Sequence, residues 1–319
     1  MPWHTFLDHP GPIAFAHRGG AGPWPENSWP AFTQAVALGY RYLETDVRVT
    51  RDGTAMILHD PTLDRVSDHT GRLSDLTLAE ARRVRLRPAA VPAATSGPAS
   101  SRAPAPPSEP EQAREPAPAG GSASPDPAGT GGGEPIPRLD ELLDRWPEAR
   151  FNLDVKEAAA LEPTLAALRR TNALDRVCVT SFDDALAREA RRLAGPGLCL
   201  GAGMSAIAAA RLRSFLPSPG ARVPRPDPGR GPGRRGVRRP RGLVGRDVVQ
   251  VPVSFRSLRV CDARFVRYMR QIGLPVHVWT VNDEAAMDTL LELGVDGLIT
   301  DRPEVLRTVL RRRGLWHSA

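Results

Sequence analysis

Short apolar runs typical of buried strands alternate with helix-like segments through most of this chain of 319 residues. We predict one strand in each of eight runs, at residues 13–16, 42–47, 151–155, 177–180, 198–201, 248–251, 276–279 and 297–300. Helices are predicted at residues 29–38, 139–145, 161–170, 264–272, 284–293 and 304–312. Strands that alternate with helices form parallel sheets, and eight such units close into a barrel. The pattern therefore predicts a (β/α)₈ TIM-type barrel, built as a single domain over residues 1–319 with its core at about 13–310.

One connection departs from this alternation, directly after the second predicted strand. It holds no helical pattern, only the dipeptide Asp52-Gly53, which favours a tight hairpin turn between two strand-like runs. A turn there would fold residues 55–58 back along the second strand and bring His59 beside Asp46. We therefore predict a β-hairpin arm, and the sequence leaves open whether this arm is a barrel strand.

Two segments lack any helical or alternating apolar pattern, and we predict that both are disordered insertions. Residues 88–135 contain 12 of the 33 prolines, with alanine, serine and glycine in most other positions. Residues 214–242 are rich in arginine, proline and glycine. The wider stretch 211–246 carries eleven arginines and one acid, Asp227, whereas the whole chain has a net charge of +7. The remainder of the chain is therefore slightly acidic.

The arginine-rich insertion has two interpretations. It is either a solvated loop or a surface that contacts nucleic acid, anionic lipid or an acidic partner. No aromatic residue lies between Phe215 and Phe255 to stack on bases, which disfavours nucleic acid. A weak contact between residues 214–242 and an anionic surface stays open.

The remaining composition indicates a cytoplasmic protein. The chain has no run of 18 apolar residues, so we expect no transmembrane segment. Its N-terminus lacks the apolar core of a secretory signal. The three cysteines show no metal-ligand spacing and are expected to be buried thiols of a reducing compartment.

Acidic side chains lie on two of the predicted strands in a way that suggests a cation site. Glu44 and Asp46 are two residues apart, so both point to the same face of their strand. Asp154 and Lys156 share a face of a later strand in the same way. In a barrel interior, unpaired acids are costly and need a cation between them. Three carboxylates without a cysteine ligand favour Mg²⁺ or Ca²⁺ over zinc.

Lys156 stands out because it is the single lysine among 43 lysine and arginine residues. A composition that has replaced every other lysine by arginine suggests that this position needs a lysine. A compact ammonium acts as a point charge toward a phosphate oxygen or a carboxylate, which the planar guanidinium of arginine does not. We therefore predict a functional role for Lys156.

Several polar blocks follow one another in a fixed order along the chain. They are His17-Arg18-Gly19, Pro25-Glu26-Asn27-Ser28, Glu44-x-Asp46, His59-Asp60, Asn152-Leu153-Asp154-Val155-Lys156, Ser181-Phe182, Val278-Trp279-Thr280-Val281-Asn282 and Ile299-Thr300-Asp301-x-Pro303. This order resembles the glycerophosphodiester phosphodiesterase family, within the superfamily of phospholipase-C-like phosphodiesterases. The resemblance extends over roughly residues 13 to 310.

The resemblance implies roles for individual residues. The family's acid/base pair falls on His17 and His59, and its metal-binding acids fall on Glu44, Asp46 and Asp154. Asp154 departs from the family, which usually has glutamate there, so a metal would lie closer to that strand or bind through water. Beyond the resemblance, Arg18 and Lys156 are suited to hold phosphate oxygens, and Trp279 at a strand end is suited to wall the substrate pocket.

The favoured hypothesis is an enzyme with a divalent metal, Mg²⁺ or Ca²⁺, that hydrolyses glycerophosphodiesters to sn-glycerol 3-phosphate and an alcohol. Its partner is then a small-molecule substrate. A first alternative is a phospholipase-D-like or lysophospholipid-cleaving enzyme of the same superfamily, which would need an apolar rim for an acyl chain. A second alternative is a protein that binds anionic surfaces or nucleic acid through the arginine-rich loop.

Overall fold

The computed structural model describes residues 4–20, 24–88, 133–216, 239–256 and 258–317. Its strands β1 to β13, in chain order, are Ile13–His17, Tyr42–Val49, Ala55–Ile57, Arg85–Leu86, Glu134–Pro135, Arg150–Val155, Val177–Thr180, Cys199–Leu200, Val249–Pro252, Ser254–Phe255, Leu258–Arg259, Val276–Trp279 and Gly297–Thr300. Its α-helices α1 to α9 are Trp29–Ala37, Leu78–Ala81, Leu139–Arg145, Leu161–Arg170, Asp184–Ala194, Met204–Arg213, Ala263–Ile272, Glu284–Leu293 and Pro303–Arg312.

Eight of these strands form one parallel sheet that curls into a barrel. Their order is β8-β7-β6-β2-β1-β13-β12-β9, with parallel register between each pair of neighbours. A parallel bridge from Gly201 to Val248 joins the end of β8 to the start of β9. The two ends of the sheet therefore meet, and the predicted (β/α)₈ barrel is confirmed.

The predicted hairpin arm is also present. Strand β3 pairs antiparallel with β2, with Val47 opposite Ile57, and it lies off the path of the barrel strands. Gly53 has a φ of +82°, a conformation that a tight turn requires and that glycine adopts without strain. The Leu58 N–H donates to the Asp46 carbonyl at 3.1 Å, so the arm ends beside the acid cluster. The arm is an addition to the barrel and not one of its strands.

Alternation along the strands decides which side chains face the helices and which face the barrel interior. In β2, Leu43 and Val47 belong to the apolar core that includes helical side chains, whereas Glu44 and Asp46 line a pocket. The same holds in β6, where Leu153 is in that core and Asp154 lines the pocket. Because successive side chains of a strand point to opposite faces, the acids of β2 and β6 point into the barrel interior.

Two barrel helices, α5 and α6, are absent from the predicted pattern. Helix α5 buries Leu186, Ala187 and Ala190, whose spacing places them on one face, so this helix carries a helical signal that the prediction overlooked. Helix α6 is alanine-rich with small side chains around its circumference, so its sequence shows no clear apolar stripe. Asp183 nonetheless marks the start of α5, because its carboxylate accepts from the Ala185 N–H at 2.7 Å.

The bounds predicted for the two insertions, 88–135 and 214–242, are too wide, because residues at their ends belong to the folded barrel. At the end of the first, Glu134–Pro135 forms a strand paired antiparallel with Arg85–Leu86. At the ends of the second, Ser214 follows α6 as its C-cap, and the Arg239 guanidinium donates to the carbonyls of Ile272, Arg246 and Gly273. The remaining parts of the two predictions, residues 89–132 and 217–238, lie outside the described residues. None of the helices in the described part of the chain is long and apolar enough to cross a bilayer.

Candidate active site

A pocket with room for about 140 Å³ of solvent opens at the C-terminal ends of the barrel strands. In barrels of this kind that end of the sheet carries the active site. All eight residues predicted from the sequence as site residues line this pocket, together with Asn152, Ser181, Phe182, Met204 and Gln250 among others. The eight are His17, Arg18, Glu44, Asp46, His59, Asp154, Lys156 and Trp279.

The turn after β1 brings the first cluster into place. Arg18 and Gly19 both have positive φ, of 53° and 81°. A Cβ on Gly19 would lie 2.8 Å from backbone atoms of Ala31 and Phe32, so the turn packs directly on the start of α1. In this conformation the Arg18 N–H donates to the Glu44 carbonyl at 2.9 Å. The end of β1 is thereby fixed against β2.

His17 lies between two carboxylates. Its Nδ1 is 2.5 Å from Asp301 Oδ1, and its Nε2 is 3.6 Å from Glu44 Oε2. An ionised carboxylate only accepts, so Nδ1 carries the proton toward Asp301. Burial alone would lower the pKa of His17, but the charge of Glu44 and the Asp301 hydrogen bond outweigh it and raise that pKa.

His59 is held in a similar way by the residue that follows it. Its Nδ1 is 2.6 Å from Asp60 Oδ1, and a third of its side chain is exposed, against 16% for His17. Burial lowers the pKa of His59, with the cations Lys156 and Arg18 acting in the same direction. Each histidine therefore uses Nδ1 toward an aspartate, which leaves Nε2 as the nitrogen available for proton transfer.

The acid cluster surrounds the single lysine. Asp46 and Asp154 are register partners on β2 and β6, and the Lys156 ammonium lies 2.8 Å from Asp46 Oδ1 and 2.6 Å from Asp154 Oδ2. Arg18 Nε is 3.1 Å from the other Asp46 oxygen. Burial would raise the pKa of Asp46, but Lys156 and Arg18 hold it well below its usual range. Burial raises the pKa of Asp154.

Two features bear on a metal at this cluster. Asp154 Oδ1 is buried and has no hydrogen-bond partner among the described residues. Within the described ranges, however, no group of three His, Cys, Asp or Glu side chains is arranged around one centre. Lys156 instead supplies the positive charge between Asp46 and Asp154.

Several residues that support the site belong to the polar blocks of the sequence but are not among the eight predicted site residues. Asp301 holds His17 and accepts from the Asn282 amide at 2.8 Å, and Asp60 holds His59. Asp301 follows β13 directly, so its position at a strand end was a usable signal. Asn27, with a φ of 59°, donates to Asp46 Oδ2 at 2.9 Å and accepts from the Thr45 hydroxyl.

Aromatic side chains form a less polar part of the pocket wall. Trp279 ends β12, and its ring meets that of Phe182 edge to face with centroids 5.8 Å apart. Phe182 is half exposed, and the Lys156 ammonium lies 5.8 Å from its ring centroid. This wall offers an apolar surface beside the charged groups.

A barrel with two carboxylate-held imidazoles, an arginine and a lysine at its C-terminal rim has the groups that phosphate-ester chemistry requires. Comparison with known proteins shows which family of phosphate-ester enzymes this is. The model of the glycerophosphoryl diester phosphodiesterase family matches residues 17–305. The chain therefore belongs to this family of enzymes.

Individual relatives agree with the family assignment. The chain is 34% identical to a protein of Mycobacterium tuberculosis named probable glycerophosphodiester phosphodiesterase 2, over all of this chain and 98% of the relative. It is 24% identical to a glycerophosphodiester phosphodiesterase of Caldanaerobacter subterraneus, over 95% and 99% of the two chains. Its fold is similar to that of an Oleispira antarctica phosphodiesterase solved with the product sn-glycerol-3-phosphate, with a TM-score of 0.64, 19% identity and coverage of 94% and 97%.

Proposed function

We propose that this protein hydrolyses glycerophosphodiesters to sn-glycerol 3-phosphate and an alcohol. The observation that carries the proposal is the pair of imidazoles, His17 and His59, in one pocket with the cations Arg18 and Lys156. Both imidazoles have Nδ1 engaged by an aspartate, as a pair of proton-transfer groups requires. The product bound by the Oleispira antarctica neighbour supports the same substrate class.

The acid cluster has the donor chemistry that a divalent cation, Mg²⁺ or Ca²⁺, takes, and its carboxylates would have to draw together around that cation, since the described side chains do not surround one centre. Its donors are carboxylate oxygens, and one of them, Asp154 Oδ1, is buried and has no partner in the part of the chain that the structure describes. Glu44, Asp46 and Asp154 would hold the cation. When bound, it would offset charge on the phosphate oxygens.

The protein's own groups divide the remaining work. Arg18 and Lys156 hold the non-bridging phosphate oxygens and offset their charge. His17 Nε2 accepts the proton of the attacking oxygen while Asp301 holds the ring. His59 lies nearer the solvent, where the alcohol departs, and its Nε2 donates a proton to the leaving oxygen. Trp279 and Phe182 line the side of the pocket that contacts the organic part of the substrate.

The proposal is tested by assaying the purified protein with a panel of glycerophosphodiesters, with and without EDTA. We expect release of glycerol 3-phosphate that stops on chelation. A preference for a lysophospholipid would favour the first alternative, for which the half-exposed Phe182 beside the pocket is the supporting observation. Release of no phosphate ester from any member of the panel would contradict the proposed function.

Deletion of residues 217–238 separates the enzyme from the second alternative, an anionic-surface binder. An enzyme that works through the pocket should keep its turnover after this deletion. A binding protein should lose its salt-sensitive affinity for anionic vesicles. The deletion keeps Arg239, whose three hydrogen bonds to backbone carbonyls contribute to the fold.

We also propose that the protein is cytoplasmic. Its three cysteines, Cys178, Cys199 and Cys261, are buried and form no disulfide, which supports a reducing compartment.

A further inference from the structure

Arg65, on the loop after the hairpin arm, contacts two carboxylates that themselves contact site residues. Its Nε donates to Asp60 Oδ2 at 2.6 Å. Its two terminal nitrogens donate to the two oxygens of Glu26 at 2.9 and 2.7 Å. A planar guanidinium that is bidentate to one carboxylate and bonded to a second fixes the planes of both.

The contacts continue from these carboxylates to the site on each side. Asp60 uses its other oxygen, Oδ1, for His59 Nδ1 at 2.6 Å. Glu26 Oε1 also accepts from Arg18 Nη1 at 2.8 Å, and Arg18 Nε lies 3.1 Å from Asp46. An unbroken chain of charged contacts therefore runs from His59 on the arm to Arg18 after β1, with Arg65 at its centre.

We propose that Arg65 is a positioning residue that joins His59 to Arg18, so that the proton-transferring imidazole and the phosphate-holding guanidinium are oriented together. The part of this inference that concerns turnover rests on the proposed function. The Arg65 side chain is 42% exposed, and ion pairs that are this exposed contribute little to stability. Orientation of the two loops that carry His59 and Arg18 is the effect that its geometry supports.

The test compares Arg65→Met and Arg65→Lys with a matched control, Arg51→Met. Arg51 lies in the turn of the hairpin arm and is also exposed, and it pairs with Glu80 at 3.4 Å. The first readout does not depend on turnover. It is the ¹⁵N spectrum of the histidine side chains, which reports which ring nitrogen carries the proton in the neutral imidazole. Resonances are assigned with His59→Gln and His17→Gln.

We expect Arg65→Met to change the His59 signals from the Nδ1–H form toward a mixture of tautomers, because Asp60 loses its anchor. His17 is held by Asp301, outside this chain of contacts, and its signals should not change. The second readout is kinetic. The kcat for a glycerophosphodiester should fall about 10- to 100-fold, as is typical when a residue that orients a reacting group is lost.

Three further kinetic results follow from the geometry. The fall should be smaller for a nitrophenyl phosphodiester, whose leaving group needs no proton donor. KM should rise because Glu26, which contacts Arg18, loses its contact with Arg65. Arg65→Lys should not restore the rate, since one ammonium cannot reproduce three directed hydrogen bonds. Unchanged His59 signals, or rates equal to those of Arg51→Met, would overturn the inference. Changed His59 signals in a protein that cleaves no phosphodiester would support the positioning role and contradict the proposed function.

Discussion

Replacement of Lys156 by methionine should destabilise the fold in a way that a divalent cation reverses. The change removes the ammonium that contacts Asp46 at 2.8 Å and Asp154 at 2.6 Å. These side chains are only 1% and 13% exposed, and they are register partners, so they stay adjacent without their shared cation. Loss of one partner of a buried ion pair costs about 3–5 kcal/mol. Because Arg18 still contacts Asp46, we expect Lys156→Met to lower the free energy of unfolding by about 3 kcal/mol, at the low end of this range.

The assay is thermal unfolding of parent and variant in EDTA and in millimolar Mg²⁺ or Ca²⁺. An unfolding entropy of about 2.1 cal/mol/K per residue, counted over the roughly 240 residues outside the two predicted insertions, converts 3 kcal/mol into a fall in Tm of about 6 °C. A cation that binds the folded acids stabilises them by mass action, so the difference from the parent should shrink when the metal is present.

Arg211→Met is the matched control for loss of a buried cation. Arg211 is 6% exposed and pairs with Asp262 at 2.6 Å, and neither residue lines the pocket. Its variant should lose the same stability with and without metal. If Lys156→Met unfolds at the temperature of the parent in EDTA, or if metal rescues it no better than the control, the account of the acid cluster is wrong.

Four other predictions concern activity and metal binding. Chelation should abolish turnover and Mg²⁺ or Ca²⁺ should restore it, whereas full activity in metal-free buffer would exclude a metal-dependent mechanism. Asp154→Asn should weaken metal binding measured by calorimetry, and Asp154→Glu should keep it; the opposite order would show that Asp154 is not a ligand. His17→Ala and His59→Ala should each lower kcat about 10²- to 10⁴-fold, and the loss for His59→Ala should be smaller with a nitrophenyl leaving group. Lys156→Arg should also lose activity, and parental turnover would refute the argument for a compact ammonium.

The parts of the fold that follow from local sequence rules were predictable. The barrel strands are short runs that are either continuously apolar or carry polar side chains at every second position, so the strands and their parallel direction could be inferred from their alternation with helices. The period of two along β2 placed Glu44 and Asp46 on one face, and the Asp52-Gly53 turn placed His59 near them. Helix α6 was missed because its alanines and arginines mark no apolar face, whereas the spacing of the three residues that α5 buries was a helical signal that the prediction overlooked.

Side-chain pairing between distant segments does not follow from such rules. Asp301 holds His17 across 284 positions of the chain, and no local pattern specifies that pair. Lys156 was expected to act as a point charge on a phosphate oxygen or a carboxylate, and in this structure it contacts two carboxylates, because burial makes unpaired acids costly and the lysine is the nearest cation. Arg65 is one of many arginines in a composition that makes each of them look alike. Its contacts with Asp60 and Glu26 distinguish it, and those contacts exist only once the arm and the loop after β1 have been brought together by the barrel.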